Sequence, residues 1–208
     1  MDIKNELSQY DVSRETIGKL EEFADILREW NKKMNLVSRN SMDMLWERHI
    51  LDSVQLINYI PRTTHNLLDI GSGAGFPGIV LAILMQEKIP QAKIVLVESI
   101  TKKTMYLKDV CDRLKLINVE VKNDRVENLC MYAPDIITAR AVAALEILCG
   151  YAVKIGNDKT ESLFLKGQSY KDEVAVANKT WKFNSEVFPN RYCDDGVILK
   201  LSRLRKRK

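Results

Sequence analysis

The feature that most constrains the fold of this chain is a glycine-rich turn between a buried strand and a helix. Leu67 to Ile70 is a short apolar run, and residues 71–78 then read GSGAGFPG. Glycine lets the backbone turn tightly and approach a ligand without an obstructing Cβ, and Pro77 suits the first turn of the helix that follows. A strand, a glycine loop and a helix in this order are typical of ligand-binding sites in α/β proteins.

Beyond Pro61 the apolar segments alternate between strand-like and helix-like spacing. Strands are predicted at residues 67–70, 93–97, 119–122, 135–138 and 163–165, helices at 77–87, 102–114 and 141–153, and a terminal strand pair at 183–188 and 197–201. This alternation predicts an α/β fold with a doubly wound, mostly parallel sheet that is covered on both faces. Ligands of such sheets bind at the carboxyl ends of the strands.

The first 60 residues have helical rather than strand-like periodicity. Apolar residues from Ile17 to Met34 form one broad stripe, as in a helix that packs on a core. Ser13 is the expected N-cap of this helix, and Ser41 is the expected N-cap of a second helix that Pro61 ends. We therefore expect residues 1–61 to form an N-terminal helical cap on a domain of residues 62–208.

Composition argues against several classes of protein. The longest uninterrupted apolar run, Ile79 to Met85, has seven residues, whereas a membrane span needs about 20. The first residues have no apolar core behind a basic start, so we expect no signal peptide and a cytoplasmic protein. The chain has four cysteines without a CxxC pair and two histidines, so we expect no metal site.

The spacing of the glycines favours one class of ligand over another. Dinucleotide sites prefer G-x-G-x-x-G, whereas Gly71, Gly73 and Gly75 are spaced G-x-G-x-G and follow Asp69. This pattern resembles motif I of the S-adenosylmethionine-dependent methyltransferases, which implies that Asp69 and the three glycines lie at the cofactor. Glu98 ends the next predicted strand, where a carboxylate can accept hydrogen bonds from both ribose hydroxyls; the alternative is a solvated strand-end acid.

A short polar segment, DRVE at residues 124–127, follows the third predicted strand. In methyltransferase-like sheets this region lies beside the adenine, where backbone groups and an acid can bind the edge of the base. The alternative is a helix N-terminus whose acids are favoured by the helix dipole. Both roles can coexist at a helix start.

The range of possible methyl acceptors is reduced by motifs that the sequence lacks. Methylation at pyrimidine C5 needs a cysteine nucleophile, and amino-group methyltransferases carry an (Asn/Asp/Ser)-Pro-Pro-aromatic motif after the fourth strand. This chain has ITARA at residues 137–141 instead. An acceptor with its own lone pair, such as guanine N7, needs neither nucleophile nor base, only alignment with the methyl group.

Two cations stand at or just after the ends of predicted strands on the side of the glycine loop. Arg140 and Lys166 are candidates for positioning the substrate and for binding phosphates, and Arg140 is also a candidate for pairing with the cofactor carboxylate. The alternatives are a salt bridge to a neighbouring helix for Arg140 and a plain surface lysine for Lys166.

The net charge of +4 is concentrated at the C-terminus. Residues 200–208 hold six basic residues and no acidic one, which leaves a net charge of −2 for the rest of the chain. Such a tail can bind RNA phosphates, or it can be a disordered, solubilising terminus. The candidate RNA contacts are Arg125, Arg140, Lys166, Arg203, Arg205, Lys206, Arg207 and Lys208.

Several longer motifs are typical of one family. They read WNK at residues 30–32, NL at 35–36, RHILDS at 48–53, GFPG at 75–78, RVE at 125–127 and LKGQ at 165–168. Over nearly its whole length the chain resembles the glucose-inhibited division protein B family, the bacterial small-subunit rRNA guanine-N7 methyltransferases. RHILDS and the GFPG ending are much more specific than motif I alone.

The resemblance implies transfer of a methyl group from S-adenosylmethionine to N7 of one guanine in a 16S rRNA loop near the decoding site. Gly71, Phe76, Val126, Glu127 and Arg140 match cofactor-binding positions of the family. We expect a monomer whose partner is 16S rRNA or the small ribosomal subunit. The alternatives are a methyltransferase that acts on another RNA, a small molecule or a protein, and an NAD(P)-binding oxidoreductase, which the loop spacing disfavours.

His49 lies within RHILDS and invites a catalytic interpretation. Guanine N7 has no proton to remove, however, so the reaction does not call for a base. We therefore expect His49, with Arg48 and Asp52, to connect the helical cap to the sheet domain.

Overall fold

The computed structural model describes residues 3–130 and 132–207 and has a seven-stranded sheet at its centre. The strands are β1 (Asn66–Ile70), β2 (Lys93–Glu98), β3 (Val119–Asn123), β4 (Ile136–Arg140), β5 (Glu161–Lys166), β6 (Trp181–Pro189) and β7 (Val197–Lys206). Their order is β3-β2-β1-β4-β5-β7-β6, with β7 antiparallel to both of its neighbours. The predicted doubly wound, mostly parallel sheet is confirmed.

Eight α-helices flank the sheet in the described part of the chain. They are α1 (Ile3–Ser8), α2 (Arg14–Asn31), α3 (Arg39–Asp43), α4 (Asp52–Val54), α5 (Gly78–Lys88), α6 (Thr101–Arg113), α7 (Leu145–Ile155) and α8 (Tyr170–Thr180). A π-helical turn, Trp46–Leu51, joins α3 to α4, and 3₁₀ turns occupy Gln55–Tyr59 and Val126–Asn128. No helix among the described residues combines the length and apolarity that crossing a membrane requires.

Side chains of the central strands alternate between two apolar cores, as the two-residue period of a strand requires. Leu67 of β1 packs with α5 and α6 on one face, whereas Leu68 and Ile70 pack with α7 on the other. Leu163 and Phe164 of β5 divide between the two faces in the same way. This alternation is why the central strands are apolar at nearly every position.

The N-terminal helices form a third layer on one face of the sheet. Helix α5 is buried at every position from Gly78 to Met85 because the sheet covers one side of it and α2 covers another. Phe23 and Leu27 of α2 belong to the same apolar core as α5. The long apolar run that the sequence shows here is therefore a fully enclosed helix.

Of the two serines predicted as N-caps in the N-terminal region, one is confirmed and the other is not. Ser13 caps α2 by accepting a hydrogen bond from the Thr16 N–H, as predicted. The prediction that Ser41 caps a second helix is wrong: Ser38 is the cap, and it accepts from the Ser41 N–H. The single helix expected up to Pro61 is divided into four short helical pieces, because the backbone changes to π and then to 3₁₀ hydrogen bonding.

The basic C-terminus is largely part of the sheet. Strand β7 continues past the predicted end at Leu201, and Lys206 pairs with Trp181 of β6. Arg203, Arg205 and Lys206 therefore stand on a strand rather than on a disordered tail. Lys208 lies outside the described residues.

Candidate active site

A cleft opens at the carboxyl ends of β1 and β2, next to the point where the strand order reverses between β1 and β4. Doubly wound sheets bind their ligands at such a switch point. The cleft has a volume of about 280 Å³. Its walls include Ile70, Gly71, Val97, Glu98, Asp124, Arg125, Val126, Glu127, Val142, Ala143 and Tyr151. We call it the strand-end cleft.

Glu98 links the glycine loop to the end of β2. One carboxylate oxygen accepts a hydrogen bond from the Gly73 N–H at 3.0 Å, and the other accepts from the Ile100 N–H at 2.8 Å. Each oxygen has a second lone pair, so the carboxylate can still accept hydrogen bonds from two hydroxyls in the cleft.

Two glycines of the loop permit close approach to two different parts of the protein. Gly71 lines the cleft with a φ of +66°, and a Cβ there would lie 2.7 Å from Cγ2 of Val142. Gly75, with a φ of +94°, lies under the cap instead: its Cβ would be 3.1 Å from Cζ of Phe23 and 2.9 Å from Cγ1 of Ile79. The loop is therefore bounded by the cleft on one side and by α2 on the other.

Asp69 supports the loop from below and does not line the cleft. It is fully buried, and Oδ1 accepts a 2.7 Å hydrogen bond from the Thr138 hydroxyl. Burial raises the pKa of Asp69 to about 6, although the hydrogen bond from Thr138 acts in the opposite direction. A Cβ on Gly78 would lie 2.6 Å from Oδ2, which explains why the motif ends in glycine.

The segment after β3 lines the opposite wall of the cleft. Asp124 accepts hydrogen bonds from the Arg125 N–H and the Asn128 side chain, both at 2.7 Å. Glu127 accepts from the Tyr151 hydroxyl at 2.7 Å. The segment continues into a single 3₁₀ turn, Val126–Asn128. An α-helix does not begin at this point.

The residues of the strand-end cleft fit an adenosyl ligand. Ile70, Val97 and Val126 supply apolar walls for a flat base, and the Glu98 carboxylate supplies acceptors for ribose hydroxyls. A Cβ at Gly71 would crowd Val142 on the wall of this cleft. These features suit S-adenosylmethionine, which carries no phosphate.

A second cavity, of about 400 Å³, lies between the cap and the ends of β4 and β5. It is lined by Ser41, Arg48, His49, Asp52, Arg140, Ala141, Leu165, Lys166, Gly167, Glu173, Asn190, Cys193 and Gly196. We call it the cap cavity. Ala141 lines the cap cavity, whereas Val142 and Ala143 line the strand-end cleft. Three consecutive residues therefore separate the two spaces.

Arg140 is the central cation of the cap cavity. Its guanidinium lies 3.1 Å from Oδ2 of Asp52, donates to the Arg48 carbonyl at 3.0 Å and contacts Nδ1 of His49 at 2.7 Å. It also lies 5.0 Å from the centre of the Phe76 ring, at cation–π distance. The salt bridge to a neighbouring helix, which was the alternative to a binding role for Arg140 in the sequence, is present.

His49 packs flat on Phe76, with ring centres 5.0 Å apart. Burial, followed by the positive charges of Arg140 and Arg48, lowers the pKa of His49 to about 3. Nε2 is buried and has no hydrogen-bond partner among the described residues. The ring thus connects the cap to the glycine loop and to β4, as expected from the sequence.

Lys166 is not a plain surface lysine. Its ammonium group lies 2.6 Å from the carboxylate of Glu173 on α8, and its side chain is 10% exposed. Glu173 also accepts from the Leu145 N–H at 2.8 Å. The pair joins β5, α7 and α8 around the cap cavity.

Sequence reasoning missed the side chains that complete this network. Asn190 and Gln55 both donate to Oδ1 of Asp52, and Gln55 also donates to Asn190. Asn190 lies in the loop between β6 and β7, and no local pattern links it to residue 52. Of these residues, only Asp52 could be linked to the site from the sequence, because it stands three residues after His49 and so shares a helical face with it.

The predicted site residues fall into four groups. Gly71, Glu98, Arg125, Val126 and Glu127 line the strand-end cleft. Asp69 lies beneath the loop, Gly73, Gly75 and Phe76 belong to the loop but are not on the wall of the cleft, and Arg140 and Lys166 line the cap cavity. Arg203, Arg205, Lys206 and Arg207 lie on or just after β7, near the sheet edge formed by β6. Among the described residues, no group of three His, Cys, Asp or Glu side chains is placed to hold a metal ion.

The chain is similar to known proteins over most of its length. Residues 16–192 match the family model "GidB: rRNA small subunit methyltransferase G". The chain is 42% identical over 198 residues to "Ribosomal RNA small subunit methyltransferase G" of Cereibacter sphaeroides, covering 95% of this chain and 96% of that protein. A relative of the same description from Rickettsia akari is 38% identical over 196 residues, covering 94% and 98%.

A solved structure supports the fold alone. A SAM-dependent methyltransferase from Aquifex aeolicus superposes with a TM-score of 0.60 at 12% identity, covering 86% of this chain and 97% of that one. The Rossmann-like methyltransferase fold predicted from the sequence is thereby confirmed.

Proposed function

Since the chain belongs to the rRNA small subunit methyltransferase G family, and so is an S-adenosylmethionine-dependent rRNA methyltransferase, we propose that it methylates N7 of one specific guanine in 16S rRNA. The observation that carries this proposal is that the two cavities are neighbours, bordered by the consecutive residues 141–143. A cofactor in the strand-end cleft and a base in the cap cavity would be in contact beside this short segment.

The cofactor side of the proposal rests on the strand-end cleft. Gly71, Glu98, Val126 and Glu127 would hold the adenosyl part, with Glu98 accepting hydrogen bonds from the ribose. When bound, S-adenosylmethionine supplies an electrophilic methyl group. Asp69 and Gly73 would act through the shape of the loop rather than by contact.

The choice of N7 as the methyl acceptor rests on one observation: among the described residues of the cap cavity, no side chain is free to act as a general base. Both oxygens of Asp52 and both of Glu173 accept hydrogen bonds or ion pairs from the protein. Nδ1 of His49 contacts a guanidinium, which can only donate. Guanine N7 attacks with a lone pair and loses no proton, so alignment is sufficient.

Arg140 has a positioning role in this account. Its charge is already matched by Asp52, so it can face a base without adding a strong uncompensated field against the positive charge that methylation creates. Its plane also suits stacking and hydrogen bonding to a purine edge. We propose that this monomeric enzyme acts in the cytoplasm on 16S rRNA, either free or in the small subunit.

The proposal is tested with small subunits from a strain that lacks the enzyme. The protein is incubated with these subunits, or with naked 16S rRNA, and with cofactor labelled in the methyl group. Nucleoside mass spectrometry and strand cleavage at 7-methylguanosine then locate the label. A single 7-methylguanosine supports the proposal. Label on adenine, on cytosine, on several sites or only on small molecules overturns it.

A second experiment tests the cofactor site. Glu98→Ala removes the acceptors for the ribose, and we expect cofactor affinity, measured by calorimetry, to fall at least tenfold. Glu120→Ala is the matched control, because this acid on neighbouring β3 is exposed and lies 3.3 Å from the ammonium group of Lys122, outside the strand-end cleft. Equal affinity of wild type and Glu98→Ala removes Glu98 from the site.

A further inference from the structure

A groove on the outer side of the cap has a basic rim. The groove has a volume of about 1010 Å³ and lies where α2 ends and α3 begins. Arg28, Lys32 and Arg39 stand around a floor of Leu36, Val37 and Met42. No carboxylate lines it, although residues 1–60 hold eleven acidic and eight basic residues. We call it the cap groove.

Two of its cations have no ion-pair partner within the part of the chain that the structure describes. Arg28 is paired with Asp25 at 2.7 Å, whereas Lys32 and Arg39 are exposed and make no salt bridge there. By contrast, Arg140 and Lys166 in the cap cavity are each neutralised by a carboxylate. The groove therefore adds unpaired positive charge to that of Arg48 in the cap cavity and Arg125 in the strand-end cleft.

The groove is held in shape by one side chain. Oδ1 of Asn31 accepts from the N–H groups of Leu36 at 2.8 Å and Val37 at 3.0 Å, and its amide nitrogen donates to the Val37 carbonyl at 3.1 Å. The loop between α2 and α3 is thus fixed by three hydrogen bonds to one residue. A preformed surface loses less conformational entropy on binding than a mobile loop does.

The cap groove adjoins the cap cavity. Helix α3 lies between them, with Arg39 and Met42 lining the groove and Ser41 lining the cavity. The two spaces are therefore separated by the width of one helix, roughly 10 Å. A polymer that inserts one unit into the cavity can place its neighbouring units in the groove.

From this proximity and from the charge of the rim, we infer that the cap groove binds the phosphodiester backbone of the nucleotides that flank the target guanine. Lys32 and Arg39 contact phosphates, and the apolar floor packs against sugars or bases. Phosphate contacts set register and carry no sequence information. The groove therefore contributes to affinity, while the cap cavity selects the base. This inference rests on the proposed rRNA substrate.

The test compares two double variants that each lose two positive charges. Lys32→Ala with Arg39→Ala changes the groove. Lys93→Ala with Lys108→Ala is the matched control, because both lysines are exposed, lie on β2 and α6, and line neither the cap groove nor the cap cavity. Cofactor affinity and thermal unfolding are measured for all three proteins, and both should be unchanged in the groove variant.

For the groove variant we expect KM for the rRNA substrate to rise roughly tenfold with kcat unchanged. The slope of log affinity against log salt should become less steep by about 1.4, since each phosphate contact with a single strand contributes about 0.7. The control variant should match wild type in both measurements. A groove variant with wild-type KM and salt slope, or a control that is equally impaired, overturns the inference.

The outcome is separable from that of the proposed function. If wild type forms 7-methylguanosine and the groove variant binds rRNA like wild type, only the groove is rejected. If wild type forms no 7-methylguanosine, the proposed reaction itself fails before the variants are compared.

Discussion

Nη2 of Arg140 lies 2.7 Å from Nδ1 of His49, and this contact fixes the state of the imidazole. A guanidinium has no acceptor, so Nδ1 must accept and the ring proton resides on Nε2. Burial and the neighbouring cations lower the pKa of His49 to about 3. The residue that looks most like a general base in the sequence is therefore a neutral group whose basic nitrogen is occupied.

Methyl transfer should not depend on the ionisation of His49. We expect single-turnover rates measured from about pH 6 to pH 9 to show no ionisation near 6.5, the ordinary pKa of histidine. His49→Gln should slow transfer by disturbing Arg140 but leave the shape of the profile unchanged. A limb near pH 6.5 in wild type that disappears in His49→Gln would mean that His49 acts as a base.

Stability should depend on His49 with a defined sign. Its pKa in the folded protein lies below its unfolded value, so the unfolded chain takes up the proton first. The contribution of His49 is therefore complete above about pH 6.5 and declines as the pH falls towards 3, by up to about 1.4 kcal/mol per pH unit. Urea unfolding of wild type and His49→Gln from pH 7 to pH 4 measures it.

Asp69 acts on stability with the opposite sign. Burial raises its pKa to about 6, so its contribution is complete below about pH 4 and is lost as the pH rises through about 6. The effect is common to wild type and His49→Gln, so the difference between the two proteins isolates His49. If the stability advantage of wild type over His49→Gln grew as the pH fell, the lowered pKa of His49 would be contradicted.

Asp52 should be more important for stability than an ordinary surface acid. Its side chain is 8% exposed, and removing it leaves the guanidinium of Arg140, itself 17% exposed, without its counter-charge. Loss of one partner of a buried pair costs about 3–5 kcal/mol. We expect Asp52→Ala to lower the free energy of unfolding by this amount. A loss below about 1 kcal/mol, the range of exposed pairs, would show that the pair is not structural.

Two glycines of the loop should respond differently to alanine. At Gly73 a Cβ meets nothing closer than 3.6 Å, so Gly73→Ala carries only the strain of a φ of +53°, about 1–2 kcal/mol. At Gly75 the same strain is joined by contacts of 2.9 Å with Ile79 and 3.1 Å with Phe23. Gly75→Ala should therefore be the more destabilising variant by thermal unfolding. Equal losses would mean that α2 does not press on the loop.

The sequence predicts the sheet and the loop well because local rules control both. The strands are short apolar runs at regular intervals, and the loop needs glycine where φ is positive, as at Gly71 and Gly75. Helix α8 was missed because Ala177 is its only buried residue, so it shows almost no apolar stripe. Ser38 and Ser41 are equally suitable caps by composition, and only the position of the helix start distinguishes them.

The cap cavity could not be assembled from the sequence. Asn190 reaches Asp52 across 138 positions of chain, and Glu173 of the unanticipated α8 neutralises Lys166. Both contacts depend on which elements the fold brings together, and neither leaves a periodic signal. Arg140 and Lys166, which were predicted from strand ends, line the cap cavity, but each is already paired with a carboxylate, which a sequence does not disclose.

The most direct test of the account replaces one atom of the substrate. The target guanine, once mapped, is replaced by 7-deazaguanine in 16S rRNA that is then assembled into small subunits, so that a C–H group takes the place of N7. Because the N7 lone pair attacks the methyl group and the described residues of the cap cavity hold no group that activates another position, labelled methyl transfer should fall to background while binding persists. Transfer to the deaza substrate at the rate of the normal substrate would contradict it.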